Sequence, residues 1–189
     1  MTWKTIFNPF LKFDEKTLFI TGILSITIVF IISYFLGFQS DSLFHFRYIN
    51  PADSLFQIIL STLIVYAVSI IILFVYGKII NKRTRLIDII TPVFIAQFPV
   101  ILMILLMKIP FISKAENEVL ASVEKNTTEI NPVSIIIISI YSFISLAIAA
   151  YGIAILYNGF KTATNMKKWQ HIVIFAVILL TMMVTMQFL

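Results

Sequence analysis

Residues 130–160 read INPVSIIIISIYSFISLAIAAYGIAILYNGF, thirty-one positions without a formal charge. At about 1.5 Å per residue such a stretch makes a helix of roughly 46 Å, more than the ~30 Å hydrocarbon core of a bilayer. Four further uncharged runs flank it: Thr17 to Ser40, Ser54 to Gly77, Ile89 to Met107 and Trp169 to Leu189. The shortest, 19 residues, still reaches roughly 28 Å as a helix. All 14 Lys and Arg and all 9 Asp and Glu lie outside the five runs. The chain is therefore expected to be all-α, a polytopic membrane bundle with five transmembrane helices at about 17–38, 54–77, 88–107, 132–158 and 169–188. A segment, 1–16, precedes this membrane domain of 17–189.

Composition agrees. The chain is 60% apolar with a mean hydropathy of +1.01, above the roughly 45–50% apolar of soluble domains. The net charge of +5 could suggest nucleic acid, but the basic residues occupy short segments between apolar runs, where topology signals are placed, and no nucleic-acid partner is expected. With no cysteine, disulfides, thiolate metal sites and cysteine nucleophiles are excluded together. The first run, 24 residues long, exceeds the 7–15 of a signal-peptide core, and Gly37-Phe38-Gln39-Ser40 is no small-x-small cleavage site, so span one is expected to stay.

Ten basic residues (Lys4, Lys12, Lys16, Lys78, Lys82, Arg83, Arg85, Lys161, Lys167, Lys168) fall on one side of a five-span threading. Four (Arg47, Lys108, Lys114, Lys125) fall on the other. The positive-inside rule puts the N-terminus in the cytoplasm and the C-terminus outside. Asn50-Pro51 and Asn131-Pro132 are expected to open spans two and four, Asn as a cap and Pro in the first turn. Asp88 suits the start of span three. Ser113 and Glu116 have capping-box spacing, and Ala115, Val119 and Val123 recur every four residues, which predicts a short amphipathic helix in the third connection. Ahead of span one, Trp3, Ile6, Phe7, Phe10 and Leu11 share a helical face opposite Lys4, Asn8 and Lys12, the layout of a helix lying in the cytoplasmic interface, bent by Pro9.

Catalytic constellations are scarce. The two histidines, His45 and His171, have no second histidine or carboxylate at i+3 or i+4, so metal-ligand spacing is absent, and both are read as interfacial anchors. There is no Gly-x-Ser-x-Gly and no phosphate-cradling glycine loop. No catalytic, cofactor-binding or metal residue is assigned, no cofactor is expected, and the interior is expected to hold no ionisable side chain.

The spans do carry packing and bending signals. Ser139, Ser142, Ser145, Ala149 and Gly152 line small residues along one face of span four, which predicts close helix contact and places span four at the bundle's centre. In span three, Pro92 fits a first turn, whereas Pro99 falls near mid-membrane, frees the carbonyl of Ile95 and predicts a kink. Gln97 is expected to satisfy that carbonyl or to bond a neighbouring helix.

Several motifs together resemble a known family. Five spans, Asn8-Pro9-Phe10 ahead of the first, a basic connection running into Arg85-Leu86-Ile87-Asp88, a proline-bearing third span and the exit Tyr157-Asn158-Gly159-Phe160-Lys161 are similar to the bacterial branch of the Yip1-domain family. The Tyr-x-Gly-x-Lys exit (Tyr157, Gly159, Lys161) is its most specific part. In eukaryotic relatives the family implies trafficking roles with small GTPases through a long cytosolic N-terminal region. Only 16 residues precede span one here, so that role is not carried over, nor are any catalytic residues. The resemblance implies a non-enzymatic, multi-pass inner-membrane protein that organises membrane or binds lipids and other membrane proteins, its own copies included. The alternative is a small substrate-binding or permease subunit of a transporter, for which a polar cavity lined by Ser142, Ser145 and Gln97 would speak, as a dry, filled interior would for the scaffold. A lipid-acting enzyme is a third reading, with only exposed acids such as Glu116 or Glu129 to serve it.

Overall fold

The computed structural model of the chain describes residues 3–124 and 131–188, without the side chains of Trp3, Lys4 and Glu124. Lys125, the Asn126-Thr127-Thr128 glycosylation-type triplet, Glu129, Ile130 and Leu189 lie outside the described residues. Five helices are long and apolar enough to cross a bilayer: Glu15–Phe35, Leu55–Ile80, Ile87–Met107, Pro132–Thr164 and Trp169–Phe188. The chain is a multi-pass membrane protein of all-helical spans. In order the helices are α1 (Trp3–Phe7), α2 (Glu15–Phe35), α3 (Leu55–Ile80), α4 (Ile87–Ile95), α5 (Val100–Met107), α6 (Pro110–Glu124), α7 (Pro132–Thr164) and α8 (Trp169–Thr185). Two 3-10 turns, Pro9–Leu11 and Met186–Phe188, and one β-hairpin, β1 (Phe38–Ser42) with β2 (His45–Tyr48), complete it.

Local signals set the helix ends. Asp14 caps α2, its carboxylate accepting from the Thr17 amide at 3.1 Å and the Thr17 hydroxyl at 2.7 Å. Those bonds hold the Asp14 carboxyl below the usual carboxylate range. Asn131 caps α7 through the Val133 amide at 3.0 Å, with Pro132 in the first turn. At span two the Asn50-Pro51 expectation fails. Asn50 instead closes a turn onto Ala52 at 3.0 Å, and Ser54 with Gln57 forms a reciprocal capping box that starts α3. The amphipathic helix of the third connection is present as α6, but it begins at Pro110, so Ser113 is inside it, donating to the Pro110 carbonyl. It buries Ile112 and Ala115 and leaves Val123 exposed.

Span three, not span four, occupies the centre. Over its most apolar window 56% of span three is buried, against 6% for span four. Span three is also broken: α4 ends at Ile95, residues 96–99 form turns, and α5 starts at Val100. Pro99 has no amide hydrogen for the Ile95 carbonyl, which accepts instead from the Phe98 amide at 3.1 Å. Pro92 is not in a first turn but inside α4. Leu73, Ile89, Val93, Leu156 and Phe160 fill the interior, and Phe160 stacks on Tyr76 at 5.7 Å and packs at a tilt against Phe175 at 4.8 Å. Phe35, Leu63, Phe143, Leu146 and Leu180 point outward, the apolar belt expected of helices whose solvent is lipid.

The basic end of the bundle holds Glu15, Arg85, Asp88 and Lys161. There Arg85 donates to Glu15 at 2.6 Å and to Asp88 at 2.7 Å, joining the starts of spans one and three. At this end α1 packs against α7. The Ile6 carbonyl accepts from Tyr151 at 3.1 Å, the Phe7 carbonyl accepts from Asn158 at 3.0 Å, and Phe7 packs edge-on against Tyr151.

Candidate functional site

The connection between spans one and two is no exposed loop. Leu36 and Gly37 (φ +80°) reverse the chain at the end of α2, and β1 runs back into the bundle, pairing antiparallel with β2 from Phe38–Tyr48 to Ser42–His45. A positive φ of this kind is what glycine accommodates. All five residues of β1 are buried, and the tip residues Leu43 and Phe44 are 1% and 4% exposed.

Three contacts fix how deep the tip reaches. Ser40 meets the Tyr66 hydroxyl at 3.5 Å, and Tyr66 stands eleven residues into α3, roughly 16 Å below its start. Tyr66 in turn donates to Gln97 Oε1 at 3.2 Å, in the break at the middle of span three. Phe44 lies against Gly152 of α7: a Cβ there would be 2.7 Å from the Phe44 ring and 3.0 Å from the Ala96 carbonyl. The hairpin thus plugs the bundle from the end opposite Arg85 to about mid-height.

It carries charge with it. A bulge between Ser40 and Ser42 turns Asp41 toward His45, whose Nδ1 is 2.8 and 3.0 Å from the two carboxylate oxygens. The Asp41 side chain is 8% exposed, that of His45 50%. Beside them the Gln39 carboxamide, its oxygen facing the guanidinium, accepts from Arg47 Nη2 at 2.7 Å. An unpaired buried carboxylate costs several kcal/mol, so Asp41, which the hairpin carries into the bundle, has a partner across the bulge in His45. This corrects the expectation of an interior without ionisable groups. His45 is not a plain interfacial anchor either; its carboxylate partner precedes it by four residues. His171 receives the other aromatic partner, Tyr76, whose hydroxyl donates to the His171 carbonyl at 2.9 Å.

A half-open cavity of about 430 Å³ lies beside the hairpin, between α5 and α7, and Ser142, Ser145, Ala149, Met103, Met107 and His45 are among its lining residues. Ser139 and Ser142 are exposed and touch no second helix closely enough to bury them; of the small-residue stripe, Gly152 alone is fully enclosed. Gln97 does not reach this cavity. It is 0% exposed, and besides Tyr66 it bonds the Val93 carbonyl at 3.4 Å, which the turn at Ala96 leaves free.

The exit motif has a packing reason. A Cβ on Gly159 would fall 2.3 Å from Pro92 Cβ and 2.7 Å from Phe10, so Phe10, Pro92 and Gly159 meet at one point. Tyr157 packs on Phe175 at 5.9 Å, and the Lys161 ammonium lies 5.7 Å from the Tyr157 ring. Chemically, Asp41 and His45 can share a proton. Among the described residues no three His, Cys, Asp or Glu side chains come together as a metal site. A family model of the Yip1 domain matches residues 3–189 of the chain. No curated protein and no solved structure matches it.

Proposed function

The chain belongs to the Yip1 domain family, and from that premise we propose that it is a non-enzymatic scaffold that organises membrane by binding lipids and other membrane proteins. The observation that carries this reading is the filled centre: Leu43, Phe44, Leu73 and Gln97 are all under 5% exposed, and the hairpin tip closes the middle of the bundle where a conduit would run. What stays open is lateral, toward the surrounding bilayer. The excess of Lys and Arg at the Arg85 end supports a cytoplasmic N-terminus and an external C-terminus in a bacterial inner membrane. A reporter fused after residue 189 that works only in the outer compartment checks the orientation.

Co-purification of the full chain from native membranes, with proteins and lipids identified by mass spectrometry, tests the scaffold reading. Recovery of the chain with no reproducible membrane-protein partner refutes it. A second reading, a small substrate-binding or permease subunit, is favoured by one observation, the Ser142 and Ser145 hydroxyls and the His45 imidazole that share the lateral cavity. Solute uptake by proteoliposomes holding the purified chain, lost on Ser142→Leu, would move the assignment to that reading.

A further inference from the structure

We infer that the groove between α5 and α7 is a binding site for one phospholipid with a zwitterionic head, an acyl chain lying along Met103, Met107 and Leu146 and the headgroup at Lys108 and Glu116. The inference deepens the scaffold reading and rests on it for the lipid as partner.

Three observations carry it. First, at about 430 Å³ the groove has the size of a small-molecule site, and it opens sideways past Ser142 and Leu146, both exposed on a membrane-spanning helix. What fills it comes from the plane of the bilayer. Second, its walls are mainly apolar, from Phe38, Phe44 and Phe46 of the hairpin and from α5, as an acyl chain requires.

Third, the rim at the α6 end carries one cation and one anion around a single ring. The Lys108 ammonium lies 4.6 Å from the Phe38 ring centre and 5.7 Å from that of Tyr48, and no carboxylate pairs with it among the described residues. The Tyr48 hydroxyl donates to Glu116 at 2.8 Å, which leaves that carboxylate further lone pairs. A phosphodiester on Lys108 and an ammonium on Glu116 match both signs, whereas an anionic head without an amine leaves Glu116 facing like charge. His45, which also lines the groove, is already turned to Asp41 and adds a neutral or positive edge, and Tyr141 adds a neutral hydroxyl.

The test uses the full chain in nanodiscs of phosphatidylethanolamine carrying a photoreactive group on one acyl chain, with parallel discs of phosphatidylglycerol carrying the same probe. Cross-links are expected at Met103, Met107 and Leu146 with the ethanolamine lipid, and one such lipid is expected to survive detergent extraction in native mass spectrometry. Ser142→Trp fills the mouth of the groove and is expected to abolish both signals. Ile140→Trp, an exposed position on the same helix that does not line the groove, is expected to keep them.

Lys108→Glu keeps the groove open and removes the phosphate partner; it is expected to lose the retained lipid, which keeps the inference testable should Ser142→Trp fail to fold. Cross-links spread evenly over exposed helix faces mean annular lipid only and overturn the inference. So do equal labelling by phosphatidylglycerol, or cross-links to a second copy of the chain at Ser142. A missing protein partner in co-purification bears on the scaffold reading and leaves these lipid signals as they are.

Discussion

Replacing Gly159 by alanine sets helix propensity against contact, and the structure says which dominates. Alanine gains about 1 kcal/mol over glycine inside a helix. At position 159, however, the new methyl would start 2.3 Å from Pro92 Cβ and 2.7 and 2.8 Å from the Phe10 ring, against an ordinary carbon–carbon contact of about 3.5–4.0 Å. Pro92 has no rotamer with which to withdraw its Cβ, so α4 and α7 must separate by over an ångström, in roughly the upper part of the ~1–3 kcal/mol range for overpacking. The net loss is about 2 kcal/mol, some 4–8 °C in midpoint for a chain of this size.

Gly77 is the matched control. A Cβ there meets Thr164 and Thr84 methyls at 3.3 and 3.4 Å, which small shifts absorb, so Gly77→Ala is expected to be neutral or slightly stabilising. Thermal unfolding of both variants in the same detergent, followed by size-exclusion recovery or Trp fluorescence, gives the comparison. Midpoints for Gly159→Ala and Gly77→Ala within about 2 °C of each other, less than 1 kcal/mol on that scale, would refute the close approach of spans three and four at Pro92.

Tyr66→Phe and Gln97→Leu, singly and together, are expected to show a coupling of about 0.6–1.7 kcal/mol in a double-mutant cycle, the range found for hydrogen bonds between membrane helices; additive losses would show that the 3.2 Å bond contributes nothing. The chain has no cysteine, so Leu43→Cys is a single label at the hairpin tip: it is expected to resist a membrane-impermeant thiol reagent, and to react once Asp41→Ala removes the partner of His45. Equal labelling with and without Asp41→Ala would deny the pair any part in holding the hairpin in place. Pro99→Ala is expected to let α4 and α5 join, taking spin labels at Leu86 and Ile109 toward the ~35 Å of a continuous helix; an unchanged distance would remove Pro99 as the cause of the break.

The spans were legible because lipid leaves no alternative: twenty or so uncharged positions in a row must form their own backbone hydrogen bonds, and the chain shows this five times. Pro99 was legible for the same reason. The hairpin was not, because a search for carboxylates three or four residues after each histidine passes over Asp41, and the Gln39–Arg47 partnership exists only once the strand register is known. A signal was present. Phe44, Phe46 and Tyr48 alternate with His45 and Arg47 at the period of a strand. The small-residue stripe of span four misled for a different reason: spacing shows that a backbone could be approached, not that anything approaches it, and only Gly152 and Gly159 have a neighbour that would clash with a Cβ.

The hairpin's neighbours also set a schedule for making the protein. Residues 38–48 emerge from the ribosome directly after span one, yet their seat is built from Tyr66, Gln97, Gly152 and finally Met186, which bonds Ser69 beside Asp41. Until the fifth helix is synthesised, Asp41 has no enclosed place to go and stays hydrated at the membrane surface. A chain cut short before its fifth helix therefore leaves this polar segment uncovered, and that single stretch marks an unfinished copy off from a completed one.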